Sequence, residues 1–183
     1  MGIWVHYSER SDGQCFIRSE GFPGEVQFEL SSPPQRQFDW ADYARGALQA
    51  LQRRYSLTRG LSLSINGAVS EVGLSSSAAI GLAYLVAFSE INDIDLNSQD
   101  LIELDREIEN GFLGLKNGLL DQSAIVLSES GCLTVLDCRS GQADIHPIAG
   151  DFVFLAVFSG VRQPLVASQQ FNKRVDECLL AGA

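Results

Sequence analysis

The chain has 183 residues, of which 45% are hydrophobic, so it is long enough to bury one substantial core. Its 23 acidic and 13 basic side chains give a formal charge of −10, which argues against a nucleic-acid partner because phosphate backbones attract basic surfaces. No run of about 18 apolar residues and no signal-peptide pattern occurs, so we expect a cytoplasmic protein with no membrane partner.

The first part of the chain is predicted to form strands. Residues 3–9 and 14–19 alternate between apolar and polar side chains, and the turn residues 11–13 between them predict a hairpin. Residues 25–30 alternate in the same way after a turn that contains glycine and proline. These three strands predict a small antiparallel sheet.

Helices are predicted next along the chain. Asp39 can cap a helix from about residue 40 to residue 55, whose apolar stripe predicts a role in core packing. Residues 60–65 indicate another strand, and a largely buried helix is expected to follow Gly73 and to end near Ile91.

A second amphipathic helix is predicted to begin at Asn97 or Ser98 and to end near residue 110. Apolar residues recur on one side of it, and we expect the acidic residues to lie on the outside: Asp100, Glu103, Asp105 and Glu107.

The end of the chain is predicted to form two more strands and one more helix. The strands are residues 132–137 and 152–158, and the helix runs from Ser168 to Cys178. The whole pattern predicts an α+β fold, in which an N-terminal antiparallel or mixed sheet is backed by helices. We expect residues 1–183 to form a single, incomplete domain.

The stretch from Gly73 to Ala79 has the features of an anion-binding loop. Glycine permits a tight turn, small hydroxyl residues follow it, and a helix begins directly afterwards. The unpaired N–H groups and the dipole at the start of a helix favour a phosphate. A closely packed turn between a strand and a helix has the same pattern, so this stretch alone leaves both interpretations open.

Two acidic residues favour the functional interpretation. Asp121 lies among apolar residues, where an unpaired carboxylate costs several kcal/mol to desolvate. The alternative is that Asp121 caps a short helix that begins at Gln122. Glu109 ends a charged helix and, taken alone, is interpreted as a surface residue.

Several blocks of the sequence resemble the galactokinases of the GHMP small-molecule kinase superfamily. They follow the family's order and spacing from about residue 38 to the end of the chain. The blocks are residues 40–46, 73–79, 109–122, 137–139 and 168–178.

The resemblance implies phosphoryl transfer from ATP to the anomeric hydroxyl of galactose or a related sugar. It implies that Ser77 or Ser76 shares Mg²⁺ with Glu109, and that Asp121 is the catalytic residue that orients or deprotonates the sugar hydroxyl. Gly118 and Phe171 would join Asp121 in binding the sugar. The implied ATP-binding residues are Gly73, Leu74, Ser75, Ser76, Ser77 and Ala78.

The sequence also departs from the family pattern. The opening Gly-Glu-His-x-Asp-Tyr block, which supplies an arginine and sugar contacts, is absent, and so is the C-terminal glycine-rich motif. We therefore expect a central fragment of a kinase that has little or no activity by itself. Phe171 stands where the family has a tyrosine, which puts galactose as the substrate in doubt because one hydrogen bond is lost.

Two other functions are consistent with the sequence. One is a non-catalytic relative that binds nucleotide or sugar and signals through a protein partner. The other is a structural fragment that forms a homodimer through an exposed apolar edge. The presence of both Glu109 and Asp121 favours the enzyme, since a sensor has less need of a catalytic base.

Overall fold

The computed structural model describes residues 2–32, 34–66, 75–150, 153, 155, 157 and 169–182. These residues form six strands and five α-helices. The strands are β1 Trp4–Arg10, β2 Gln14–Ser19, β3 Phe22–Glu29, β4 Gly60–Asn66, β5 Cys132–Leu136 and β6 Ala143–Pro147. The helices are α1 Asp42–Gln52, α2 Ser76–Ile91, α3 Ser98–Arg106, α4 Leu120–Leu127 and α5 Gln169–Ala181, and a π-helical turn, Glu107–Phe112, extends α3.

The main sheet has the strand order β1-β4-β2-β3 and is mixed. Strand β4 lies between β1 and β2, antiparallel to the first and parallel to the second. The predicted hairpin of β1 and β2 is therefore wrong, although both strands exist. Their connecting turn passes over the start of β4, where a Cβ on Gly60 would lie 2.1 Å from the carbonyl oxygen of Gln14. Only glycine allows the two backbones to approach so closely.

Strands β2 and β3 form the hairpin of this sheet, with Cys15 opposite Phe28 and Ile17 opposite Val26. Alternate residues of β2 and β4 face inward, as the period of two in a strand requires. They bury the apolar side chains Cys15, Ile17, Leu61, Leu63 and Ile65. Helices α1 and α2 contribute to the same core, so the helices back one face of the sheet.

Helix α1 begins at Asp42, two residues later than predicted. Asp39 precedes the helix, where its carboxylate accepts the backbone N–H of Ala41 at 2.9 Å. Arg45, which is 3% exposed, donates to Asp39 at 2.6 Å and to Asp42 at 2.7 Å. These ion pairs fix the start of α1.

Helix α3 and its π-helical turn pack closely against α1 and α2. Asn97 caps α3 in a reciprocal capping box with Asp100, as predicted. A Cβ on Gly46 of α1 would lie 2.8 Å from Ile108, and a Cβ on Gly81 of α2 would lie 2.1 Å from the Asp105 carboxylate. The two glycines therefore let the three helices approach each other.

Strands β5 and β6 form a separate two-stranded hairpin. The sequence predicted β5 but not β6, and it offered α4 only as the alternative of a short helix beginning at Gln122, whereas the helix begins at Leu120. The strand predicted at residues 152–158 lies largely outside the described residues. Helix α5 is present and extends to Ala181. Within the described part of the chain, no helix combines the length and the apolar character that crossing a bilayer requires.

Candidate active site

The start of helix α2 presents backbone N–H groups without a side-chain cap. Ser75 is the N-cap residue in the left-handed conformation, with φ of 53°, and its side chain makes no capping hydrogen bond. The first turn holds no acidic residue, and Ser76 and Ser77 lead into the buried Ala78. The first N–H groups of a helix are therefore available for an anion.

The other two residues predicted for this loop, Gly73 and Leu74, lie outside the described residues. The left-handed conformation at Ser75 is uncommon for a residue with a Cβ. Such backbone strain is concentrated at binding sites, because the surrounding structure must hold it in place.

Ser77 lies between two ionisable side chains from other elements. Its hydroxyl faces the Tyr43 hydroxyl of α1 and the Glu109 carboxylate, and it lowers the pKa of each. Burial outweighs this effect at Tyr43 and, with the nearby charge of Glu109, raises its pKa overall. Helix α1, helix α2 and the π-helical turn therefore meet at Ser77.

Glu109 lies in the π-helical turn and is 1% exposed, so the interpretation as a surface residue is wrong. Its Oε2 accepts a hydrogen bond from Asn117 at 2.7 Å, whereas its buried Oε1 accepts none of normal geometry from the described residues. Burial raises the pKa of Glu109, and Asn117 and Ser77 oppose that rise. π-helical turns are often found at functional sites.

Asp121 lies in the first turn of α4 and is half-buried. The helix begins at Leu120, its N-cap is Leu119, and no side chain caps it, so the alternative role of Asp121 as a helix cap is wrong. The charge of Asp121 raises the pKa of Glu109. The fold thus brings together Ser77, Glu109 and Asp121.

Asp105 is a third carboxyl group in this region. It is fully buried, not on the outside of α3 as predicted, and neither of its oxygens has a hydrogen-bond partner among the described residues. Burial, with the charges of Glu109 and Asp121, raises its pKa to about 8. The sequence carries a signal for this burial, because Asp105 lies four residues after Leu101 and three before Ile108.

The segment between Glu109 and Asp121 is held by side-chain amides. Asn110 and the backbone of Asn117 exchange two hydrogen bonds, of 2.9 and 3.0 Å. Gln122 donates to the carbonyl oxygen of Gly118 at 3.0 Å. A Cβ on Gly118 would meet no atom within 4 Å, so the space beside it is open to a ligand. Residue patterns do not indicate these amides, because an asparagine or glutamine gives no signal of which backbone group it bonds, even when that group is only four or seven residues away.

The residues present fit a divalent cation only with help from a ligand. Among the residues described, no three histidine, cysteine, aspartate or glutamate side chains are grouped so as to hold a metal ion. Glu109 and Ser77 alone make a partial site. Mg²⁺ is usually bound by one or two protein groups together with substrate phosphates, and a phosphate at the start of α2 would lie next to Ser77.

Comparison with known proteins gives one consistent result. Residues 42–129 match the GHMP kinases N terminal domain. A galacturonokinase of Arabidopsis thaliana is 40% identical over 200 residues, which cover 97% of this chain and 47% of the relative. A galactokinase of Clostridium beijerinckii is 26% identical over 183 residues, which again cover 97% of this chain and 47% of the relative. The chain thus spans about half the length of the curated relatives it matches.

The fold agrees with a solved structure as well. The crystal structure of Lactococcus lactis galactokinase complexed with galactose superposes with a TM-score of 0.77 and 28% identity, covering 81% of this chain and 39% of that one. The predicted α+β fold with a helix-backed sheet is confirmed.

Proposed function

Because the chain carries a GHMP kinase N-terminal domain and is homologous to galactokinases and a galacturonokinase, we propose that it serves the phosphorylation of a sugar by ATP. GHMP kinases use ATP as the phosphoryl donor. The sugar position that we propose is the anomeric hydroxyl, as the resemblance of residues 109–122 implies.

The observation that carries this proposal is the meeting of an uncapped helix start with two carboxylates. The N–H groups at residues 76–78 suit phosphate oxygens, and the free Oε1 of Glu109 beside Ser77 suits a cation that neutralises phosphate charge. When bound, Mg²⁺ would stabilise the charge that develops on the transferred phosphoryl group.

Asp121 is the residue that we propose to act on the sugar. Its carboxylate lies close enough to Glu109 for its charge to raise the pKa of Glu109. Unlike Glu109, it has no fully buried oxygen that lacks a hydrogen-bond partner among the described residues. It would accept a hydrogen bond from the attacking hydroxyl and hold it in line with the phosphate, which is the main task of the protein in phosphoryl transfer. Gly118 leaves space for the sugar, and Phe171 would contact it from α5.

Galacturonate is the first sugar that we propose to test, with galactose as the second. The galacturonokinase relative is 40% identical to this chain, compared with 26% for the galactokinase of C. beijerinckii. Phe171 also lacks the hydroxyl of the tyrosine that the galactokinases carry at this position. We propose that both sugars share the Asp121 and Gly118 contacts.

The test is a phosphorylation assay of the protein as its natural gene encodes it. The assay contains ATP, Mg²⁺ and each sugar in turn. We expect a sugar monophosphate, detected by mass spectrometry, with a faster rate for galacturonate. If the protein forms no sugar phosphate from either sugar, yet binds ATP tightly, that result would contradict the proposed kinase activity and favour a nucleotide sensor.

We also propose that the 183-residue chain alone has little or no kinase activity, because the relatives are about twice as long. The described residues around Glu109 and Asp121 contribute carboxylates and hydroxyls to the site. Phosphoryl transfer in addition needs groups that stabilise negative charge on the phosphate. Measurable Mg²⁺-dependent ADP production by the isolated chain with galactose or galacturonate would overturn this part.

A further inference from the structure

Asn172 of helix α5 contacts the segment that connects the two carboxylates of the site. Its Nδ2 donates to the carbonyl oxygen of Gly114 at 2.8 Å, and its Oδ1 accepts the backbone N–H of Lys116 at 3.0 Å. The two bonded groups lie 58 and 56 residues away along the chain. A single side chain therefore satisfies a donor and an acceptor of the same short loop.

The loop needs such partners because it has no regular structure of its own. It leaves the π-helical turn at Leu113, and Gly114 takes the left-handed conformation, with φ of 71°. Backbone groups outside helices and strands must find other hydrogen-bond partners. Asn172 supplies them in the way that a neighbouring strand would, with one donor and one acceptor.

The loop held by Asn172 also carries the contacts of the proposed site. Asn117, one residue beyond Lys116, donates to Glu109, and Gly118 follows it. The next element, α4, carries Asp121 in its first turn. A shift of the backbone at Gly114 or Lys116 would therefore move the groups next to both carboxylates.

The same contact fixes the start of α5. Phe171, which would contact the sugar, directly precedes Asn172 and is half-buried. An ion pair between Lys116 and Asp176, one turn further along α5, supports the same docking. Both sides of the proposed sugar site, the loop and Phe171, thus depend on one amide.

We propose that Asn172 is a positioning residue for sugar binding, a role that rests on the proposed function. It acts by joining α5 to residues 114–118, and it does not touch the reacting atoms. On the nucleotide side of the site, none of the described residues at the start of α2 bonds to Asn172. The role therefore predicts a loss of sugar affinity without a loss of ATP affinity.

The first test measures backbone hydrogen exchange in the 183-residue chain. We expect Asn172→Ala to accelerate exchange at the Lys116 amide about tenfold, since both bonds are lost. Arg174→Ala is the matched control, because Arg174 is exposed, lies on the same helix and, among the described residues, bonds only to Glu177. Equal exchange at Lys116 in the unaltered chain and in Asn172→Ala would overturn the contact.

The second test measures sugar and ATP affinity of the protein in its natural reading frame by titration calorimetry. We expect Asn172→Ala to weaken galacturonate or galactose binding about tenfold, with ATP affinity unchanged. Asn172→Asp keeps the acceptor for the Lys116 N–H and should recover part of the sugar affinity. Unchanged sugar affinity in Asn172→Ala, or an equal loss of sugar and ATP affinity, would overturn the positioning role.

The two tests separate this inference from the proposed function. If the unaltered protein binds neither sugar, the proposed function fails and the positioning role fails with it. The exchange of the Lys116 amide would still decide whether Asn172 holds the loop.

Discussion

Glu109 combines deep burial with an oxygen that accepts no hydrogen bond of normal geometry from the described residues, an arrangement that costs free energy unless a ligand uses it. Most buried side-chain polar atoms in proteins have a hydrogen-bond partner, so this oxygen needs an explanation. The Ser77 hydroxyl and the start of α2 lie beside it. In the proposed function, Glu109 and Ser77 would therefore hold a divalent cation that stabilises phosphate charge.

Glu109→Gln should therefore remove the Mg²⁺-dependent part of ATP binding. The amide still accepts the Asn117 hydrogen bond, so the fold is kept, but a neutral group binds Mg²⁺ poorly. We expect ATP affinity in the presence of Mg²⁺ to fall about tenfold or more, measured by titration calorimetry. Glu107→Gln, which removes only the surface ion pair with Arg54, is the control. Equal affinities in the two variants would contradict the role of Glu109.

The raised pKa of Asp105 predicts how the free energy of unfolding depends on pH. Its pKa rises from 3.8 in the unfolded chain to about 8 in the fold, so between these values the folded state holds a proton that the unfolded state has lost. The free energy of unfolding therefore falls as pH rises through this window, by roughly 1.4 kcal/mol per pH unit. Below pH 3.8 and above pH 8 the contribution no longer changes.

Asp105→Asn removes this dependence, because asparagine does not titrate. We expect the variant to gain stability relative to the unaltered chain as pH rises from 5 to 8, by several kcal/mol over the window. Denaturant unfolding at pH 5, 6, 7 and 8 measures this gain. A stability difference that stays constant across these pH values would contradict a protonated Asp105.

At the scale of elements, close approaches at glycines determine which strands and helices become neighbours. Gly60 lets β4 enter between β1 and β2, and Gly46 and Gly81 let α3 approach α1 and α2. The last two contacts place the π-helical turn, and with it Glu109, near the start of α2. The site therefore depends on residues that have no side chain.

Gly60→Ala should disrupt the sheet. Its Cβ would lie 2.1 Å from a backbone oxygen, which cannot move aside as a flexible side chain can. We expect a loss of about 3 kcal/mol or more in the free energy of unfolding. Gly21→Ala meets only Ser19 at 3.8 Å and should change stability by less than about 0.5 kcal/mol. Similar unfolding midpoints for the two variants would show that β4 does not pass beneath the turn.

The sequence predicted most elements because their signals are local. Strand alternation defined β2, and the capping residues defined the start of α3. The pairing of strands is not local, and the turn at residues 11–13 suits a hairpin as well as a connection across β4. The close approach of Gly81 to Asp105 is also not local, and only the spacing of Asp105 from Leu101 and Ile108 indicates its burial in the sequence.

The resemblance supplied what local patterns could not. Residue periodicity placed Glu109 on the surface, whereas the family pattern paired it with Ser77, and the structure brings these side chains together. Neither the local patterns nor the resemblance indicated the roles of Asn172 and Asn117, since an asparagine in a helix or loop gives no signal of its hydrogen-bond partner. That partner is a distant backbone group for Asn172 and the Glu109 carboxylate for Asn117.

At the scale of the whole molecule, the chain forms a helix-backed sheet with a site at one end of α2. It spans about half the length of its curated relatives. The groups in its described residues therefore form part of the proposed site. In the proposed function they divide into a nucleotide part, at Ser77 and Glu109, and a sugar part, at Gly118 and Asp121. The central claim is that these two parts act on one phosphoryl group.

Asp121→Asn in the protein's natural reading frame tests this claim most directly, because asparagine keeps the shape of the side chain and removes its charge. Sugar phosphate formation from ATP is measured by mass spectrometry, and ATP affinity by calorimetry on the same samples. We predict that turnover falls by about 10²- to 10⁴-fold while ATP affinity stays the same. Turnover that survives the substitution, or ATP affinity that is lost with it, would contradict the account.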